Sequence, residues 1–207
     1  METSPPYVPI RSSAWSGRRM PRWIYLAFAG LLAVAVAVAL VHKPTQGEKA
    51  SDLRGFLTAV TTDIESCAGG VGESLTALHE VQSGARSAAD VSDGISVAQQ
   101  GAANCAPANN EQIDDLENYQ VPESLFSFQL KGVVTRLVTW AAPDAERVQT
   151  DVANVLSART VHARSQAQAD LSAAVAALDK QRSAINSVLD AATKALAVHQ
   201  SGPRLPG

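Results

Sequence analysis

The sequence predicts an all-α protein: one transmembrane helix followed by an elongated antiparallel helix bundle that ends in a long C-terminal helix. Three observations carry this expectation. Residues 23–41 form an unbroken apolar run without a charge, close to the ~20 residues a helix needs to cross the ~30 Å of bilayer hydrocarbon. Beyond that run, apolar residues recur at three- and four-residue steps in every long segment, the period of one helix face. Ala is roughly one residue in six, and Ala has the strongest helix propensity.

The apolar run divides the chain. Residues 1–22 are rich in Pro, Ser and Arg without a period and read as a disordered cytoplasmic tail. Residues 23–41 read as a single-pass transmembrane helix edged by Trp23 and Val41, with Trp23 and Tyr25 at the headgroup level that amphipathic rings prefer. Residues 42–50 read as a linker, residues 51–201 as an extracytoplasmic bundle and residues 202–207 as a disordered tail. Arg18, Arg19 and Arg22 crowd the first edge of the run, while Lys43, Lys49 and Arg54 follow the second more loosely. By the positive-inside rule the N-terminus lies inside and the folded part outside the cytoplasmic membrane. The competing reading is a cleaved signal peptide, because Ala35-Val36-Ala37 and Ala37-Val38-Ala39 fit small-x-small cleavage sites. That reading makes the mature protein secreted. The apolar run exceeds the ~7–15 residues of a signal core, which favours a retained anchor.

Charge is unevenly spread. Residues 1–44 carry five Lys/Arg against one acid, and the remainder carries twelve against nineteen. An acidic folded part excludes nucleic acid as the main partner, since phosphate binding needs a basic face.

The first soluble helix spans residues 51–67, capped by Ser51 or Asp52. Leu53, Leu57, Val60, Ile64 and Cys67 share its apolar face, and Ala68-Gly69-Gly70 is read as its stop. Residues 71–104 carry a helical stripe interrupted by Gly84, Gly94 and Gly101, which periodicity leaves as one helix or two. Residues 105–121 are irregular. Pro122-Glu123 suits the first turn of the next helix, whose face is Phe126, Leu130, Val133, Leu137 and Trp140, an apolar core set. Ala142-Pro143 breaks it, because the residue before Pro is pushed out of the helical region. From Asp144 to Ser201 neither Gly nor Pro occurs. One unbroken helix there would be roughly 85 Å long, so it bends or projects. Val148, Val152 and Val155 mark its first face.

Leu171, Val175, Leu178, Ile185, Leu189 and Leu196, with Arg182 in the seam, step in a heptad-like rhythm. They form a possible partner face for a coiled coil, through a protein partner or self-association; the alternative is packing inside the chain's own bundle.

Cys67 and Cys105 both fall on apolar helix faces. Two cysteines in an extracytoplasmic domain point to a disulfide. A straight helix through residues 71–104 would hold them roughly 50 Å apart, whereas a bridge needs Cα atoms within about 7 Å. A bridge therefore requires a reversal, most simply near Gly84.

No other motif carries chemistry. Gly69-Gly70-Val71-Gly72 is a weak phosphate cradle without a following Gly-Lys-Ser/Thr, and Glu73 opposes it. Glu111, Asp114, Asp115 and Glu117 sit beside Asn109 and Asn110, but their spacing does not match an EF-hand loop. His42, His79, His162 and His199 are scattered, and no Gly-x-Ser-x-Gly elbow or Cys-x-x-Cys pair occurs. The sequence therefore implies no catalytic residues, no metal ligands and no cofactor.

The runs 102–111 (Ala-Ala-Asn-Cys-Ala-Pro-Ala-Asn-Asn-Glu), 119–125 (Tyr-Gln-Val-Pro-Glu-Ser-Leu) and 140–145 (Trp-Ala-Ala-Pro-Asp-Ala) resemble uncharacterised membrane-anchored proteins of Ala-rich, high-GC bacteria. The resemblance spans roughly the soluble part and implies no activity, so no functional residue carries over. The expected function is a non-enzymatic, membrane-anchored interaction or scaffold module. The alternative is a ligand-binding or sensory bundle that works with a separate signalling partner, its small-molecule ligand unspecified by the sequence. A groove with convergent polar groups would favour the ligand; a dry bundle with an exposed apolar stripe would favour the scaffold.

Overall fold

The computed structural model describes residues 43–85 and 88–206. Six α-helices are described: α1 (Gln46–Gln82), α2 (Ala88–Cys105), α3 (Glu111–Glu117), α4 (Leu130–Thr139), α5 (Glu146–Ser157) and α6 (Val161–Ala195). Short 3-10 turns occupy Pro107–Asn109 and Glu123–Phe128, and no strand occurs among the described residues. The expected transmembrane segment, residues 23–41 between Trp23 and Val41, lies outside the described residues. Among the described residues no helix is long and apolar enough to cross a membrane.

Helix α1 starts earlier and ends later than the sequence suggests. Thr45 forms a capping box with Glu48: Thr45 Oγ1 accepts from the Glu48 amide at 3.2 Å, and Glu48 Oε2 accepts from the Thr45 amide at 2.6 Å. This satisfies two orphan donors before Ser51 or Asp52 is reached. The last residues of the expected linker, from Gln46 on, are therefore helical.

The expected stop at Ala68-Gly69-Gly70 is absent, and α1 runs on to Gln82. Gly70 serves packing instead. A Cβ there would lie 2.9 Å from Gly101 Cα and 3.1 Å from Gln149 Oε1. The glycine removes the side chain that would hold two helices apart, and the continuous hydrogen-bond ladder outweighs its ~1 kcal/mol propensity cost. The reversal comes at Gly84, which takes φ +72, a left-handed conformation that glycine adopts without a Cβ clash.

Helices α1, α2 and α5 meet at two levels. Gly70, Gly101 and Gln149 form one; Ala77, Gly94 and Leu156 form the other. Each chain segment steps by seven residues between levels, forward in α1 and α5 and backward in α2. Helix α2 is thus antiparallel to both neighbours, with a two-turn repeat between contact layers. One turn beyond the first level, Cys67 and Cys105 are joined in a disulfide with Cα atoms 4.7 Å apart. By the chain-entropy model, closing this loop contributes roughly 4 kcal/mol.

The next helix is shorter than its stripe implied. Leu130, Val133, Leu137 and Trp140 are fully buried, but Phe126 is 48 % exposed. Gln129 takes a left-handed conformation (φ 58) between the 3-10 turn and α4. That residue breaks the helical phase and turns Phe126 outward, where the Lys131 ammonium sits 4.5 Å from its ring centre. Ala142 is extended before Pro143 (φ −133, ψ 117), which bends the chain into α5.

The stretch from Asp144 to Ser201 is two helices, not one. Ala158 and Thr160 are extended, and Thr160 Oγ1 caps α6 by accepting from the Ala163 amide at 3.1 Å. A good N-cap thus interrupts the helix without Gly or Pro. The short break folds α6 back onto α5. Leu171, Leu178, Ile185, Leu189 and Leu196 are buried in the chain's own core and Val175 is half-buried. This stripe is a core face, because α4 and α5 already cover it. The opening turns of α6 are exposed on nearly every side, with Val161 at 89 %.

The last residues are not free either. After Ala197 (φ 51) the chain leaves α6, and Val198, Pro203 and Leu205 are buried. Three apolar anchors in nine residues hold an extended segment that its Gly and Pro content had marked as a loose tail.

The two kinds of helical glycine predict opposite effects. Gly101→Ala places a methyl group on the Gln149 amide oxygen and should destabilise by about 1–3 kcal/mol. Gly69→Ala meets no atom within 4 Å and should stabilise by about 0.5–1 kcal/mol. Urea unfolding of the disulfide-intact domain measures both.

Candidate functional site

Viewed along α1, a second stripe runs beside the core stripe. Thr58, Thr62, Glu65, Gly69, Gly72 and Thr76 step by 4, 3, 4, 3 and 4 residues, so they share one face. This face forms one wall of an open groove of about 1130 Å³. The extended segment 200–206 forms the facing wall, and Val97 of α2 contributes at one end. The floor is apolar or bare: Ile64, Ala68 and Ala77 are buried, and a Cβ on Gly69 or Gly72 would meet nothing within 4 Å.

The segment that closes the groove has few ties. Val198 N–H donates to the Thr193 carbonyl at 2.9 Å, a helix-end bond that directs the chain away from α6. Further on, Gln200 Nε2 donates to Thr58 Oγ1 at 3.1 Å. Gly202 passes so near α6 that a Cβ would lie 2.7 Å from Leu189 Cδ1. Apolar burial of Val198, Pro203 and Leu205, more than hydrogen bonding, holds this wall in place.

The polar atoms of the α1 wall are unequal. Thr62 Oγ1 donates to the Thr58 carbonyl at 3.0 Å, and Thr76 Oγ1 donates to the Gly72 carbonyl at 2.8 Å. Thr61 Oγ1 is shielded from solvent without a hydrogen-bond partner. Glu65 and Glu73 are exposed at the groove edge, and Arg204 stands on the facing segment.

A separate acidic belt lies where α1 meets α3. Asp63 has its pKa raised by partial burial and then by the Asp115 carboxylate. Tyr119 has its pKa raised by burial, then by Asp63 and Asp52. Its ring packs edge-on against Phe56 with centres 5.6 Å apart. Ser124 Oγ donates to Asp52 Oδ2 at 2.5 Å, which ties the 3-10 turn to α1. Of the loop acids singled out in the sequence, Glu111 and Asp114 lie in the first turn of α3, where Asn110 caps the helix by accepting from the Gln112 amide at 3.1 Å. Capping and the helix dipole account for their placement.

Of the other sequence candidates, Cys67 and Cys105 come together as expected. Gly69-Gly70-Val71-Gly72 lies in mid-helix, so it has no free N–H groups with which to cradle phosphate. The groove wall itself went unread in the sequence. Its signal was present as the polar and small stripe from Thr58 to Thr76, one to two positions out of phase with the core stripe. The facing wall had no such signal, because contact across the fold places it there.

Comparison with known protein families, curated proteins and solved structures gives no match.

Protonation of Asp63 relieves its burial and its repulsion from Asp115. A carboxyl whose folded pKa is raised above the unfolded value of 3.8 adds stability below that value and loses it as pH rises through the folded pKa. Asp63→Asn should therefore raise Tm slightly at neutral pH. The gain should shrink on acidification and vanish below the ordinary carboxylate range, as read by thermal unfolding across pH.

Proposed function

We propose that this protein is a non-catalytic ligand-binding module held at the outer face of the cytoplasmic membrane. Its ligand lies in the groove between α1 and segment 200–206, and residues 23–41 are the anchor. The single observation that carries the reading is the bare groove floor at Ala68, Gly69 and Gly72. Two helical glycines face open space there, while Gly70 between them is consumed by packing. Binding sites are concave and mostly apolar with a few placed polar groups, and this groove has that composition. A volume of about 1130 Å³ accommodates an elongated small molecule lying along the helix.

A scaffold role has one supporting observation, the projecting start of α6 with Val161 exposed. The groove supports ligand binding more strongly, because the heptad stripe expected to recruit a partner is buried in the core.

Gly72→Leu tests the groove. The new side chain enters open space and improves helix propensity, so the fold should be kept or gain about 0.5–1 kcal/mol. Thermal shifts from a probe set of fatty acids, aliphatic amines and short peptides identify what binds; any probe that stabilises the parent should lose its effect in the variant. Retention of every such shift would overturn the groove as the site.

The anchor has its own measurement. Membrane fractionation should find the whole chain in the membrane, and bulky substitutions at Ala37 and Ala39 should change nothing. Mature protein in the medium, beginning near Leu40, would replace the anchor by a cleaved signal.

A further inference from the structure

Resting on the groove assigned above, we infer that its ligand is a linear aliphatic chain bearing ammonium groups near both ends, of the polyamine or α,ω-diaminoalkane class. The argument starts from hydrogen-bond bookkeeping on the α1 wall. A hydroxyl has one hydrogen. Thr62 commits its hydrogen to the Thr58 carbonyl, and Thr76 commits its own to the Gly72 carbonyl. Both oxygens therefore line the groove as acceptors. The Glu65 and Glu73 carboxylates accept only, and neither forms a hydrogen bond or ion pair with another described residue. Thr61 keeps an uncommitted hydroxyl hydrogen, but it is shielded from solvent; the exposed polar groups Thr62, Thr76, Glu65 and Glu73 accept, and the matching ligand donates to them and carries positive charge.

Spacing specifies the ligand further. Glu65 and Glu73 both line the groove and are eight residues apart on α1, about 12 Å along the axis. That distance is too long for the two carboxylates to share a metal ion. It suits two separate cationic groups joined by a spacer. Between the two acids the wall offers Ala68, Gly69 and Gly72, which have no polar side-chain atom and no bulk. An aliphatic spacer can lie against that surface and exclude water. Arg204 on the facing segment opposes a cationic ligand and weakens it; it does not remove the acidic excess, since two acids face one base.

The experiment uses the full chain in detergent at low ionic strength, because surface ion pairing is screened by salt. Calorimetric titration compares α,ω-diaminoalkanes of increasing length, spermine, and monoamines of matched length. Diamines should bind saturably with an optimum at intermediate length, and monoamines should bind more weakly. Glu65→Gln and Glu73→Gln should each weaken the best diamine about two- to fivefold, the scale of an exposed ion pair. The double variant should erase the length optimum. Arg204→Gln should tighten binding, and Glu117→Gln, far along the chain in α3, should leave it unchanged.

Equal binding of monoamines and diamines, or equal weakening by Glu117→Gln, would overturn the inference. A fatty-acid anion that binds instead, loses affinity with Arg204→Gln and is blocked by Gly72→Leu would also overturn it while leaving the groove as the site. Failure of Gly72→Leu to affect any bound probe would remove both.

Discussion

The contact between Gly70 and Gly101 is the constraint on which the rest of the domain depends. Two helices approach until their backbones touch, which no other pair of residues permits. The approach lets Cys67 and Cys105 lie close enough for their bond one turn away. It also creates the slot that the Gln149 side chain of α5 occupies. Three helices are locked by one close crossing, one covalent bond and one buried amide.

That amide is costly unless its polar atoms find partners. Gln149 is fully buried. Its Nε2 donates to Cys105 Sγ at 3.0 Å and approaches the Ala145 carbonyl at 3.4 Å. Its Oε1 lies 3.4 Å from Ser74 Oγ, whose single hydrogen is held more tightly by the Gly70 carbonyl at 2.7 Å. Gly101 completes the fit, since its bare α-carbon leaves the volume that Oε1 fills. A hydrophobic side chain would fill the space without specifying the register. The amide donates at a fixed point, Cys105 Sγ, and its oxygen fits only beside Gly101, which ties α5 to one position against α1 and α2.

The groove follows from the same junction. Because Gly70 is absorbed by packing, α1 continues past residues that locally favour a stop. Its neighbours Gly69 and Gly72 are then carried onto the outer face as bare helix surface. The segment 200–206 crosses that face because α6 ends in a left-handed turn at Ala197 and three apolar anchors dock beyond it. A helical wall thus faces an extended one held mainly by the burial of Val198, Pro203 and Leu205, with the open groove between them.

Several features were legible from local sequence. The helical class, the apolar faces of α1 and α5, the Cys67–Cys105 bridge and the reversal at Gly84 follow from period, composition and chain geometry, which act over a few residues or through one distance limit. Other features read wrongly for a common reason. Gly69-Gly70 resembles a helix stop because a lone helix gains nothing from glycine; only the facing Gly101 makes it favourable. Phe126 fits the stripe of Leu130 to Trp140 because periodicity assumes unbroken phase, and the left-handed Gln129 shifts it. Leu171 to Leu196 reads as either a partner face or a core face, since a heptad records that a stripe is buried and not what buries it. Sequence alone determined which residues prefer helix and which faces must leave water. Tertiary structure decided where helices stop, which apolar stripe meets which, and how Thr58 to Thr76 became a groove wall, because those outcomes depend on atoms that are distant in the chain.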